Sequence, residues 1–202
     1  MLAKALAQAH AALGYDLLTL MPEEQQWLGD HDAPAPAQNA VIGNRVRSVT
    51  VSTKNGPVGF ILLPKLPRNA TIPLDMTMRA IEDQARSLAG RTRLVVGISP
   101  WGGVAEDHFL QKKAHVLDIL LGAGPGPGLA GRFTPDGKTF WARSYGRGKA
   151  LHVVRISEWP QRSADWKWIK DGNLRLDFMP LNEPVPSDPE MNALLGEFNL
   201  PR

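Results

Sequence analysis

Cysteine is absent from the 202-residue sequence, and its absence excludes several kinds of chemistry at once. Disulfide bonds, thiolate zinc sites and thiol catalysis all require this residue. Long hydrophobic runs are also missing, because no apolar stretch approaches the roughly 20 residues that a membrane-spanning helix needs. The first 14 residues lack the uninterrupted apolar segment of a secretory signal. We therefore expect no membrane span, and the cellular compartment stays open.

A strong excess of one charge is missing as well. The chain has 23 Lys and Arg residues against 20 Asp and Glu residues, a formal net charge of +3. Because the basic residues are scattered along the chain, we expect no nucleic-acid partner. Hydrophobic residues make up 43% and charged residues 21%, as in ordinary soluble globular proteins. The length predicts a single domain over residues 1–202.

A strand–helix–strand pattern dominates the middle of the chain. Residues 94–98 form a continuous apolar run, which is typical of a strand buried on both faces. The glycine turn at 99–103 leads into a predicted helix over 104–114, and a second apolar run follows at 116–121. This is the pattern of a parallel βαβ unit, whose sites lie at the carboxyl ends of the strands. The turn at 99–103 and the glycine-rich loop at 122–128 both belong to that edge.

The remaining elements follow from local periodicity and turn chemistry. Leu2, Leu6, Ala9 and Leu13 have helical spacing, and Ser187 with Glu190 predicts the cap of a final helix. The other predictions are a strand at 15–20, a short helix from residue 22, a loop at 29–40, a hairpin at 46–64 around Asn55-Gly56, a helix at 73–90, a hairpin around Pro135-Asp136-Gly137, and strands at 151–156 and 174–178.

Six phrases of the chain resemble, in the same order, phrases of the calcineurin-like metallophosphoesterases, in the branch of bacterial 5′-nucleotidases and UDP-sugar hydrolases. They are residues 13–20 (LGYDLLTL), 55–63 (NGPVGFILL), 94–102 (LVVGISPWG), 118–126 (DILLGAGPG), 141–151 (WARSYGRGKAL) and 180–190 (PLNEPVPSDPE). The resemblance implies an α/β fold, a layered α/β sandwich of the metallo-dependent phosphatase type with mixed sheets. It also implies a domain truncated at its N-terminus, because the family's first two motifs would precede residue 1.

The resemblance implies as well that the active site is degenerate. Enzymes of this family use Asp, His and Asn side chains to hold two divalent metal ions, which activate water and clamp the phosphate. In this sequence the ligand asparagine falls on Pro22 and the catalytic histidine on Glu23. Three family histidines fall on Pro100, Gly124 and Gly126, which offer no side-chain ligand. Glu24 matches a family residue that mainly supports the ligands. We therefore expect neither catalytic residues nor a metal cofactor.

Three interpretations of function stay open at this point. The first, which we favour, is a non-catalytic domain that acts in binding or protein interaction. The second is a metal-dependent phosphoester hydrolase with a rebuilt site that uses Glu23, Glu24, Asp30 and His31, although a solvated acidic loop is the simpler interpretation of these residues. The third is a domain of a larger assembly that supplies the missing motifs. The family implies a periplasmic location. Loss of the first strand implies an exposed sheet edge, and hence a homodimer or a docked segment.

Several residues have both a functional and a structural interpretation. Trp101, Arg143 and Tyr145 are candidates for an aromatic and cationic cleft that binds a small anion or sugar, although packing is favoured. The loop at 122–128 has the glycines of a phosphate cradle. Its two prolines, however, remove the amides that a cradle requires, so a rigid turn is favoured. The last three tryptophans flank a polar stretch and are candidates for an interaction surface: Trp159, Trp166 and Trp168.

Overall fold

The structure, a computed structural model, describes residues 2–113, 115–181 and 185–196. The chain divides into two compact units. The smaller unit comprises Met1–Gly43 and Asn182–Arg202, and the larger unit comprises Asn44–Leu181. Each unit has its own cluster of buried apolar side chains. The matched phrase at 180–190 includes residues 182–184, and the predicted helix at 104–114 ends at residue 114; these positions lie outside the described residues.

In its described residues, the smaller unit combines three helices with a short two-stranded sheet. Its elements are α1 (Leu2–Ala12), β1 (Leu18–Leu20), α2 (Pro22–Asp30), β2 (Asn39–Val41) and α5 (Pro189–Gly196). β1 and β2 pair in parallel. The prediction of a loop throughout 29–40 was therefore wrong at both ends, because α2 continues to Asp30 and β2 begins at Asn39. A strand of three residues is too short to produce a recognisable alternation.

Two details of the helices in the smaller unit differ from the prediction. α1 buries Ala3, Ala5 and Ala7, whereas Leu2, one of the leucines at helical spacing, is 52% exposed. The spacing correctly predicted a helix, but it did not identify the buried positions. At the start of α5 the backbone N–H of Met191 donates to Oδ1 of Asp188 at 2.9 Å. Asp188 therefore caps this helix, and the assignment of Ser187 as the cap was wrong.

The larger unit is built on a six-stranded mixed sheet with the strand order β3-β4-β5-β6-β8-β7. β4, β5, β6 and β8 are parallel to one another, and the edge strands β3 and β7 run antiparallel to their neighbours. Its elements are β3 (Arg47–Thr53), β4 (Gly56–Leu62), α3 (Asp75–Ala89), β5 (Leu94–Ser99), α4 (Gly103–Lys112), β6 (Ile119–Gly122), β7 (Leu129–Phe133), β8 (Phe140–Arg143), β9 (Ala150–Ile156) and β10 (Leu174–Pro180).

Two apolar clusters cover the two faces of this sheet. On one face, Ile81 of α3 and Phe109 of α4 pack with Val95 and other strand residues. On the other face, Trp168 and Leu174 join the apolar side chains of the strands, and β9 pairs with β10 as an antiparallel ribbon. The larger unit is therefore layered, with helices on one side of a mixed sheet and a ribbon on the other. This confirms the general α/β class.

Both predicted hairpins are present, and each turns at a glycine with a positive φ. Gly56 has a φ of +112°, and the Thr53 hydroxyl donates to its carbonyl at 2.7 Å, which closes the turn between β3 and β4. Gly137, with a φ of +71°, allows the turn between β7 and β8.

The apolar run at 116–121 is a strand only from Ile119. Asp118, within that run, precedes the strand, and its carboxylate accepts a hydrogen bond from the backbone N–H of Val95. Among the described residues, no helix is both long and apolar enough to cross a bilayer.

Candidate functional site

The loops after β5 and β6 lie side by side at the carboxyl edge of the parallel strands. Ser99, the last residue of β5, pairs with Gly122, the last residue of β6. The backbone N–H of Ala123 then donates to the carbonyl of Ser99 at 2.8 Å. In open α/β sheets this edge is where ligands bind. The candidate site of this protein is therefore the space around these two loops.

Gly124 is packed so closely that no side chain fits there. A Cβ atom on this residue would lie 2.0 Å from the carbonyl oxygen of Trp101 and 2.2 Å from that of Pro100. Two positions that the sequence analysis matched to metal ligands, Pro100 and Gly124, are thus brought into direct contact. Gly126, the third, has a φ of +116°, which side chains rarely adopt.

Arg143 fills the space beneath these loops. It ends β8, the parallel neighbour of β6, and its side chain is only 3% exposed. Its guanidinium donates to four backbone carbonyls: Trp101 (3.3 Å), Gly124 (2.9 Å), Pro125 (2.9 Å) and Pro127 (3.2 Å). The loop at 122–128 therefore turns its oxygens towards a cation. A phosphate cradle needs inward-facing N–H groups instead, so this geometry supports the interpretation as a rigid turn.

Glu106 is the counter-ion of Arg143 and is completely buried. It lies in the first turn of α4, where the helix dipole favours a negative charge. One carboxylate oxygen accepts from Arg143 and, at 2.8 Å, from the indole N–H of Trp141. The other oxygen has no hydrogen-bond partner among the residues that the structure describes. Glu106, Arg143 and the loop carbonyls form what we call the Arg143 cluster, and sequence reasoning did not identify its carboxylate.

Each of the three residues proposed as a ligand cleft has a packing or hydrogen-bonding role in this fold. Trp101 is 1% exposed, and its indole N–H donates to the carbonyl of Pro64 at 2.6 Å. Arg143 is buried in its cluster. Tyr145 packs edge-on against the rings of His152 (5.6 Å) and Phe178 (5.3 Å). The structural interpretation, packing, therefore describes these side chains.

A second buried network lies at the opposite, amino-terminal edge of the sheet. Asp118 immediately precedes β6, and its carboxylate accepts from the backbone N–H of Val95 at 2.7 Å. Arg162 donates to both carboxylate oxygens, at 3.1 and 2.8 Å. The indole of Trp168 donates to the Asp118 carbonyl at 2.9 Å, so this tryptophan is buried and does not belong to an interaction surface. Burial raises the pKa of Asp118 above its ordinary value, although Arg162 and the Val95 amide oppose the shift.

The motif positions in the smaller unit have local structural roles. Pro22 begins α2, and the Glu24 carboxylate accepts from the backbone N–H of Met21 at 2.7 Å. Nδ1 of His31 lies 2.8 Å from the carbonyl oxygen of Trp27. Within the described part of the chain, no group of three or more His, Asp or Glu residues is arranged to hold a metal ion.

A comparison of the chain with protein-family models, with curated proteins and with solved structures gave no match. The function of the chain is therefore inferred from the residues and geometry of the site itself.

Proposed function

We propose that this chain is a degenerate metallophosphoesterase-like domain of the 5′-nucleotidase type, which acts without catalysis in binding or protein interaction. One observation carries the proposal: the edge of the sheet where such a fold would hold its metals is filled by the Arg143 cluster. The guanidinium there lies among four loop carbonyls and a buried carboxylate. Side-chain ligands are replaced by Pro100, Gly124 and Gly126.

The packing around Gly124 supports a permanent loss of metal chemistry. A ligand side chain at that position would overlap the carbonyl of Trp101, which lies 2.0 Å from the place of its first atom. A buried guanidinium also repels a divalent cation in a region of low dielectric constant. Restoring metal binding would therefore require both new ligands and displacement of a buried ion pair.

We propose that a homodimer partner or a docked segment binds at an edge of the six-stranded sheet. β3 is one edge of the six-stranded sheet, and it pairs along all seven residues with β4. The other edge strand, β7, is interrupted by a register shift between Leu129 and Arg132, which makes it a poor template for strand addition. We therefore assign the docking edge to β3.

The test of the proposal is a calorimetric titration of the purified protein with Mn²⁺ and Zn²⁺, together with an assay for metal-dependent hydrolysis of phosphoesters. We expect no binding tighter than the millimolar range and no hydrolysis above a metal-free control. Light scattering on the same samples reports a monomer or a dimer. Stoichiometric micromolar binding that disappears in a Glu23→Ala/Glu24→Ala variant would instead establish the rebuilt-site hydrolase.

A further inference from the structure

A pocket of about 500 Å³ lies between α4 and the β7–β8 hairpin; neither Arg143 nor Glu106 lines it, although its residue Trp141 donates to Glu106. This volume lies within the usual range of small-molecule sites. Apolar side chains contribute much of its lining, and charged groups from both elements converge on it. Its lining includes Asp107, Leu110, Arg132, Phe133, Asp136 and Trp141.

One wall of the pocket already holds an organic cation that belongs to the chain itself. The guanidinium carbon of Arg132 lies 4.3 Å from the ring centroid of Trp141, and the same guanidinium forms an ion pair with Asp107. An aromatic face with an adjacent carboxylate is the arrangement that recognises organic cations. The contacts of Arg132 therefore show that this wall can bind an organic cation.

The other wall presents a carboxylate with spare capacity. Oδ1 of Asp136 accepts from the Thr134 hydroxyl at 2.6 Å and from the backbone N–H of Lys138 at 3.0 Å. Oδ2 lies 3.9 Å from Nδ1 of His115, which is beyond hydrogen-bond reach. Burial opposes ionisation of Asp136, but these hydrogen bonds outweigh it and lower the pKa, so the carboxylate is ionised at neutral pH.

We propose that this pocket binds a small organic cation, an amine, amidine or guanidine on an apolar body, with its charge on Asp136 and its body against Leu110 and Phe133. Two carboxylates and one guanidinium give the lining a net charge of −1, which selects against anions. The inference rests on the proposed binding role, to which it adds a site and a ligand class.

The experiment compares three probes of nearly identical shape: benzamidine, the neutral benzamide and the anionic benzoate. Binding is followed by NMR through the backbone signals of the β7–β8 hairpin and the indole signals. We expect benzamidine to bind at least ten times more tightly than benzamide, and benzoate to cause no shifts. Equal binding of benzamide or benzoate, or no shifts with benzamidine at 5 mM, would overturn the inference.

Two variants with opposite expected effects distinguish the site from general damage. Asp136→Asn keeps a carbonyl oxygen for the Thr134 and Lys138 hydrogen bonds but removes the charge, and we expect at least a ten-fold loss of benzamidine affinity. Arg132→Met frees Asp107 and the face of Trp141, and we expect tighter binding. Asp165→Asn makes the same charge change at an exposed position outside the pocket and should leave the affinity unchanged.

Unchanged affinity in Asp136→Asn would refute the assignment of this carboxylate. The outcome of the benzamidine experiment is independent of the outcome of the metal titration. Failure of all probes without any metal binding would remove this site and leave the non-catalytic function standing, whereas metal-dependent hydrolysis would remove the non-catalytic function itself.

Discussion

At the scale of single residues, Arg143 is the hydrogen-bond donor to a set of buried acceptors that no sequence pattern indicated. Its five N–H groups donate to four carbonyls and one carboxylate. Because the side chain is only 3% exposed, water cannot take the place of these acceptors. Removing one member of a buried ion pair is far more damaging than removing both, because the remaining charge stays desolvated. The cluster therefore allows a sharp test of its structural role.

We predict that Arg143→Met lowers the free energy of unfolding by about 3–5 kcal/mol, because Glu106 is left buried without a counter-charge. Adding Glu106→Gln should recover at least about 1 kcal/mol, since a neutral amide costs less to bury. The measurement is urea-induced unfolding at pH 7.

The matched control is Arg86→Met, which removes an exposed ion pair with Glu82 and should cost less than about 1 kcal/mol. If Arg143→Met costs no more than this control, the buried pair is not the stabilising feature that its geometry indicates.

At the scale of elements, Asp118 joins the starts of three strands. Its carboxylate and backbone bind Val95 of β5, it leads directly into β6, and its carbonyl accepts from the N–H of Phe140 in β8. Arg162 and Trp168 add the segment before β10 to the same point. A single ionisable side chain therefore couples the amino ends of the strands to the segment that covers them.

We predict a pH dependence from this coupling. The pKa of Asp118 is raised in the folded state, so its protonated form is favoured on folding. This contribution to stability is complete below the ordinary carboxyl pKa of 3.8 and is lost as the pH rises through the folded value. The unfolding free energy of the wild type should therefore rise relative to that of Asp118→Asn as the pH falls from 7 to 4.

Urea unfolding of both proteins at several pH values measures this difference. A constant difference would show that Asp118 does not titrate on unfolding. A slope of the opposite sign would mean that the Arg162 guanidinium outweighs burial and lowers the pKa.

At the scale of the whole molecule, the division into two units has a direct consequence. The larger unit contains the complete six-stranded sheet, both apolar clusters that cover it, the Arg143 cluster and the Asp118 network. A unit with its own hydrophobic core has the main feature of an independently folding domain.

We predict that a fragment of residues 44–181 folds by itself. Its NMR spectrum should show five dispersed indole N–H signals, one for each of its tryptophans, at the positions found in the full chain. Hydrogen exchange of the β5 and β6 amides gives a second readout. Collapsed indole signals with unprotected amides would show that the larger unit depends on the rest of the chain.

Local patterns were sufficient to predict much of this architecture. The apolar runs of β5 and β6 and the turns at Gly56 and Gly137 appear in the structure at or near the predicted places. In α3, Ile81, Ala85 and Leu88 have helical spacing and are buried, whereas Met76, which has the same spacing, is 73% exposed. These features depend on neighbours within a few residues, so the sequence alone contains the information.

The sequence by itself therefore determined the α/β class, most elements and the absence of thiol chemistry. Tertiary structure decided which polar groups are buried together. Glu106 and Arg143 are 37 residues apart, and Asp118 and Arg162 are 44 apart. Only the completed sheet brings them into contact and removes them from water, and that burial gives each charge its partner. For the same reason, only the fold makes Trp101 part of the core and forms the pocket beside Trp141.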